Sequence, residues 1–156
     1  MTYEFDSDIK MLEGMKKPYV ISISSVSGGG KTTIVNLLKD KLPNTAVISF
    51  DDYDESEVYL DRDINVWSRE GNDENEWHTQ PIADDIEKLI SAQYDTIILD
   101  YPFGHRNACV GKYIDLAVFI DTPLDVALTR RIIRDYTSRN ENSNFGLADV
   151  EEVSLK

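Results

Sequence analysis

Three consecutive glycines followed by a lysine and two threonines, Gly28-Gly29-Gly30-Lys31-Thr32-Thr33, stand between an apolar run and an amphipathic one. Few residue patterns restrict a fold more. The stretch Ser25 to Thr32 (SVSGGGKT) matches G-x-x-x-x-G-K-[ST] except that Ser25 takes the place of the first glycine. Glycines let the backbone curl so that successive N–H groups converge on phosphate oxygens. A helix starting there adds its unpaired N–H groups and the positive end of its dipole. Ser27, Gly28, Gly29, Gly30, Lys31, Thr32 and Thr33 are therefore the expected nucleotide-binding residues. Lys31 supplies a charge for the β- and γ-phosphates, and Thr32 a hydroxyl for Mg²⁺. A glycine turn that merely caps a helix is the plainer alternative, and the strand before and helix after argue against it. Ser25 fits only if its φ is ordinary.

Four short β-branched runs read as buried strands: Tyr19 to Ser24, Thr45 to Phe50, Thr96 to Asp100 and Asp115 to Asp121. Helical periodicity separates them. It passes through Ile34, Leu37, Leu38 and Leu42, then Ile82, Ile86, Leu89 and Ile90. A third helix through Val126, Leu128, Ile132 and Ile133 starts near Thr122-Pro123. Alternation of this kind predicts an α/β fold, a parallel β-sheet with helices on both faces in three α/β/α layers. One domain is expected over 1–156, with an N-terminal extension over 1–17. Residues 54–80 resist assignment and read as a functional loop or as short helices.

Charge narrows the partners. Sixteen Lys+Arg against 29 Asp+Glu leave a formal net charge of -13, which disfavours nucleic acid and anionic membranes. No apolar run reaches the ~20 residues of a spanning helix. Cys109 is the single cysteine, and the polar N-terminus lacks a signal-peptide layout. A cytoplasmic protein is expected. The acidic residues crowd between Asp51 and Glu76, while five of the seven arginines fall between Arg106 and Arg139.

A triphosphate brings a metal with it, and Mg²⁺ prefers hard oxygen ligands. In open α/β sheets ligands sit at the C-terminal ends of strands. There the second run ends in Phe50-Asp51-Asp52-Tyr53 and the third in Leu99-Asp100-Tyr101-Pro102. Asp51 can accept a proton from an attacking hydroxyl or reach the metal through water. Asp100 suits the metal's water shell, so Thr32, Asp51 and Asp100 form the expected metal group. Ordinary turn chemistry would also place aspartates at Asp51 and Asp52.

Four pieces together, GGGKTT, ISFDDYD, ILDYP and DTPLDVALTRRIIRD, resemble the uridine kinase and nicotinamide riboside kinase group of P-loop small-molecule kinases. They span Tyr19 to Arg139. The resemblance implies a P-loop fold with strand order 2-3-1-4-5. It implies that Asp51 is the general base toward the acceptor hydroxyl and Asp100 the metal-associated acid. It implies further that Arg131 lies near the acceptor, that Arg134 and Arg139 act on the phosphates, and that residues 130–145 form a lid. Lys31, Asp51 and Arg134 are then the catalytic set. The family's pyrimidine-reading insert with histidine and tyrosine has no counterpart here, Asp100-Tyr101-Pro102 stands where the family usually has glycine after a glutamate, and the sequence given stops before the family's last strand and helix, as either a shortened version or an incomplete sequence would.

The acidic segment favours a neutral or cationic acceptor over one that already carries phosphate. Trp67, Trp77 and His78 lie in or beside this segment, and a flat ring can stack on an indole, with packing anchors the plainer reading for the tryptophans. Asp61, Asp63 and Glu76 can hold sugar hydroxyls, and Arg106 can reach either acceptor or phosphate. The expected acceptor-binding residues are Asp52, Tyr53, Trp77, His78, Arg106 and Arg131. The expected activity is transfer of a phosphoryl group from ATP, with Mg²⁺, to a hydroxyl of a nucleoside-like or vitamin-like molecule. A regulatory P-loop protein that binds or hydrolyses ATP is the alternative.

Overall fold

The computed structural model describes residues 17–137. Arg139, residues 1–16 of the extension and the part of the expected lid beyond 137 lie outside them. The described chain forms two compact units: residues 17–24 with 32–119, and residues 25–31 with 120–137.

The first unit carries the sheet. Its strands are β1 (Tyr19–Ser25, whose last residue belongs to the second unit), β2 (Thr45–Ser49), β5 (Thr96–Asp100) and β6 (Leu116–Ile120, likewise ending in the second unit). The order is β2-β5-β1-β6. Counted by the four predicted runs this is 2-3-1-4, as the resemblance implies for these four, and among the described residues no fifth strand joins this sheet. β5 pairs in parallel with β1 and β2, and Ile23, Ser49 and Asp100 stand level in the register. The chain therefore leaves these three strands at one edge, where Asp51 and Tyr101 follow.

Burial is concentrated at the centre. Ile98 is fully buried, and Val20, Ile97 and Leu99, buried as completely, share one core with Ile48, Val58, Ile82, Ile86, Tyr101 and Val110. Each such aliphatic side chain contributes about 1.5–3 kcal/mol. The fourth predicted run differs from expectation: Leu116 and Phe119 of β6 are exposed, Phe119 by 60%. As the last strand in the order, β6 has a neighbour on one side only. The second predicted strand is also a residue shorter than expected, because Phe50–Asp52 already turns as a 3-10 helix.

Helix α1 (Lys31–Lys41) buries Val35, whereas Ile34 and Leu37, expected on its inner face, are exposed. Helix α3 (Gln80–Ser91) buries Ile82, Ala83 and Ile86 as its period requires. The unassigned stretch proves to be structured. Strands β3 (Tyr59–Leu60) and β4 (Trp77–His78) pair antiparallel, with Tyr59 opposite His78. Between them lies helix α2 (Ile64–Arg69), capped by Asp63, whose carboxylate accepts from Asn65 and Val66 N–H at 2.8 and 3.2 Å. A short helix α4 (Ala108–Gly111) follows β5.

The second unit holds the glycine loop and helix α5 (Leu124–Thr137). Ala127 is the buried residue of that helix, while Leu124, Leu128 and Ile133 are exposed. Among the described residues no helix is long and apolar enough to cross a membrane.

Candidate functional site

In the second unit the loop is shaped for backbone donors. Gly28 and Gly30 have φ of 80° and 94°, a region L side chains avoid. A Cβ on Gly28 would overlap the Ala127 carbonyl oxygen and lie 3.1 Å from its carbon. One on Gly29 would come within 2.8 Å of the Ser25 side chain and the Val26 carbonyl. The loop closes through the Gly29 N–H, which donates to Val26 O at 2.9 Å. The Thr122 hydroxyl donates to Gly29 O at 2.7 Å. Helix α5 thus backs the curl. Ser25 is not among the residues with positive φ, so serine meets no backbone strain where the motif has glycine, and its hydroxyl donates to Val26 O.

The arginines of α5 divide unexpectedly. Arg131 and Arg134 both pair with the half-buried Asp135, at 3.4 and 2.9 Å, and both arginines are exposed. The Arg134 hydrogen bond, ahead of the other causes, holds the Asp135 carboxyl below its usual range. Arg130 instead brings Nη1 to the loop, 3.7 Å from where a Gly30 Cβ would stand. Arg130 carries no role expected from the sequence. Its only signal was membership of an arginine pair one helical turn from Arg134.

In the first unit the Thr32 hydroxyl donates to the Asp100 carboxylate at 3.0 Å. Asp100 is 2% exposed. Two residues of the expected metal group, 68 positions apart, are therefore brought together as hard oxygen donors. That donor set fits Mg²⁺, which takes few protein ligands and keeps several waters. Asp51 and Asp52 lie exposed on the 3-10 turn that leaves β2. Tyr53 follows them, and its hydroxyl donates to Asp85 at 2.7 Å. Burial, reinforced by that hydrogen bond and by the Asp85 charge, pushes the phenol well above its ordinary pKa. Hydrogen bonds from Lys88 and Tyr53 hold Asp85 below the usual carboxylate range. Asp52, Tyr53, Glu57, Asp85 and Leu89 line a cavity of about 480 Å³ beside β2.

An aromatic cluster grows from the strand ends. Phe50 packs against Trp77, Tyr101 and Phe103 at centroid distances of 5.7, 6.0 and 5.6 Å. Trp77 Nε1 and Tyr101 Oη are buried there without a hydrogen bond. Burial pushes the Tyr101 phenol above its ordinary pKa, and the nearby Thr79 side chain opposes that rise. Trp67 meets Trp77 edge-on at 6.1 Å and donates from Nε1 to Asp73 O at 2.9 Å, which makes it a brace of the segment. His78 sits 2.7 Å from Asp61 and stacks on Tyr59 at 4.4 Å. Tyr59 was missed by the sequence reading, because two-residue strands leave no periodicity. Glu76 is paired with Arg62 at 2.7 Å, and Arg106 with the buried carboxylate of Glu74 at 3.1 Å. Asp61, Asp63 and Glu76 thus all engage protein groups. Among the described residues no cluster of three or more His, Cys, Asp or Glu side chains forms a metal cage.

Comparison with known proteins gives the family and the fold. The family model described as phosphoribulokinase / uridine kinase matches residues 91–151. The chain is 30% identical over 141 residues to a uridine kinase of Borrelia hermsii, covering 77% of this chain and 68% of that protein. The chain belongs to the uridine kinase family. It is also 28% identical over 152 residues to a uridine kinase of Ureaplasma parvum serovar 3, covering 81% of this chain and 73% of that one. A shorter match, 47% over 49 residues, joins it to nicotinamide riboside kinase 1 of Rattus norvegicus, covering 31% of this chain and 25% of that one. Among solved structures, a chain of the Pnkp1/Rnl/Hen1 RNA repair complex shares the fold, with a TM-score of 0.50 at 15% identity. That match covers 83% of this chain and 40% of the other. The fold is of the P-loop NTPase type, and the protein is a small-molecule kinase.

Proposed function

We propose that this kinase transfers the γ-phosphoryl group of ATP, with Mg²⁺, to a hydroxyl of a neutral or cationic nucleoside-like molecule. The observation that carries this reading is the Thr32–Asp100 hydrogen bond of 3.0 Å, which puts a hydroxyl and a buried carboxylate together directly after the phosphate loop. The names of the relatives, uridine kinase and nicotinamide riboside kinase 1, supply the acceptor class.

In this reading the amides from Ser27 to Thr33 and the Lys31 ammonium bind the triphosphate. Thr32 and Asp100 would hold a magnesium ion, which when bound would supply charge neutralisation at the phosphate oxygens. Asp51 takes the acceptor hydroxyl's proton on a carboxylate oxygen while the acceptor oxygen bonds to the γ-phosphorus, the bond from that phosphorus to the β,γ-bridging oxygen breaks, and ADP leaves. Such a base contributes about 10²–10⁴-fold. Arg130, Arg134 and Arg139 stabilise charge that spreads over the moving phosphoryl oxygens. Asp52, Trp77, His78, Arg106 and Arg131 form the acceptor side, and the crowded carboxylates there repel acceptors that already carry phosphate.

The test is ADP release from ATP and Mg²⁺ across a panel of nucleosides, nicotinamide riboside and nucleoside monophosphates. Release stimulated by an unphosphorylated nucleoside is expected. A response equal with and without every alcohol overturns the reading in favour of a nucleotide-binding regulator, and a preference for monophosphates overturns the acceptor class.

A further inference from the structure

Asn107 is 1% exposed, and its side chain uses every hydrogen-bonding valence an amide has. Its Nδ2 donates to Glu74 O at 2.7 Å and to Trp77 O at 3.3 Å. Its Oδ1 accepts from the Thr79 hydroxyl at 2.9 Å and from Val110 N–H at 3.3 Å. One side chain on the loop after β5 therefore grips the chain before, within and after β4. With no valence left, it cannot itself bind a substrate.

Two neighbouring features give the grip its meaning. Thr79 precedes helix α3 and occupies the N-cap position, yet makes no capping bond. Its hydroxyl goes to Asn107 instead, so the helix forgoes a cap of the kind worth about 1 kcal/mol. In addition, the Asn75 side chain accepts from Ala108 N–H at 2.8 Å, and Arg106 pairs with Glu74. The two segments are laced along their length. What the lacing holds is Trp77, packed on Phe50 and Phe103, with His78 next in the chain and Asp51 next after Phe50.

We propose that Asn107 is a positioning residue of the acceptor site, fixing Trp77 and His78 relative to the Phe50–Asp51 turn and so setting the affinity for the acceptor. The inference rests on the acceptor reading above. It does not involve the phosphate loop, so the acceptor and nucleotide sides should respond differently.

The experiment is steady-state kinetics of Asn107→Asp and Thr79→Val, each with KM measured separately for the best nucleoside of the panel and for ATP. Asn107→Asp keeps the size and the accepting oxygen, but turns an oxygen toward two carbonyls. Its acceptor KM should rise about tenfold or more, with the KM for ATP within twofold of the parent. The quench of tryptophan fluorescence on adding nucleoside without ATP should weaken in parallel. Thr79→Val removes one bond and should show the same split at about threefold. A fall in kcat with an unchanged acceptor KM, equal shifts in both KM values, or a lowered Tm alone overturns the proposal. If Asn107→Asp does not fold, Thr79→Val decides by the same criteria, and loss of fold in both makes Asn107 purely structural and overturns it. A parent protein that phosphorylates no alcohol overturns the acceptor reading first, before any variant is compared.

Discussion

In the glycine loop the backbone sets the shape, through φ values of 80° and 94° at Gly28 and Gly30 and a turn closed within four residues. In the segment between Phe50 and His78 side chains set it, through bonds such as Asn107–Glu74 and Tyr53–Asp85 that join residues about thirty positions apart. Each construction fails in its own way. A backbone cradle tolerates most side-chain changes around it but no Cβ at its glycines. A side-chain network tolerates backbone adjustment but loses position when one polar partner is removed, because the buried groups left behind cost about 1–3 kcal/mol each.

That contrast can be broken most severely at Asp51. Asp51→Asn should lower kcat by about 10²–10⁴-fold while ATP affinity, measured by titration calorimetry, stays near that of the parent. Weakened ATP binding of the same size would place Asp51 among the nucleotide-binding groups instead. Next comes Gly28→Ala, where a Cβ would collide with Ala127 O at a positive φ. Strain of about 1–3 kcal/mol from the backbone alone, with the collision added, predicts roughly a 100-fold loss of ATP affinity with the aromatic cluster undisturbed in near-ultraviolet circular dichroism.

A smaller effect separates the arginines. Arg130→Ala should raise the KM for ATP about tenfold, the worth of one charge-assisted hydrogen bond, whereas Arg134→Ala, already paired with Asp135, should raise it less. The reverse order would restore the ranking expected from sequence. The smallest effect concerns Tyr53. Its native pKa is raised by burial and by Asp85, so its contribution to stability is full below the unfolded phenol value of about 10 and declines as pH rises above it. Urea unfolding of Tyr53→Phe and the parent from pH 8 to 11 should show that extra alkaline loss in the parent alone. Parallel curves would detach Tyr53 from the network.

Much of the fold was legible because its signals are local. The four strands and the helices between and after them follow from runs of β-branched residues, helical periodicity and a loop motif, while the order of the sheet came only from the resemblance to the kinase family. Side-chain orientation was less accessible. Periodicity put Ile34 and Leu37 on the inner face of α1, yet the structure buries Val35, because a face is inner only relative to what packs on it. Residues 54–80 hid two strands of two residues each, too short to show alternation, and with them the Tyr59–His78 stack. Arg130 and Arg131 are indistinguishable as letters, and only the turn of α5 about the glycine loop separates them.

The sequence by itself determined a phosphate-binding turn, a parallel sheet around it and carboxylates at the strand ends, because glycine torsions and β-branched runs act over a few residues. Only the tertiary structure decided that Thr32 meets Asp100, that Tyr53 is committed to Asp85, and that a buried asparagine ties the segment around Trp77 to the loop after β5. Those pairings rest on distances between residues far apart in the chain, and such distances exist only once the core has closed.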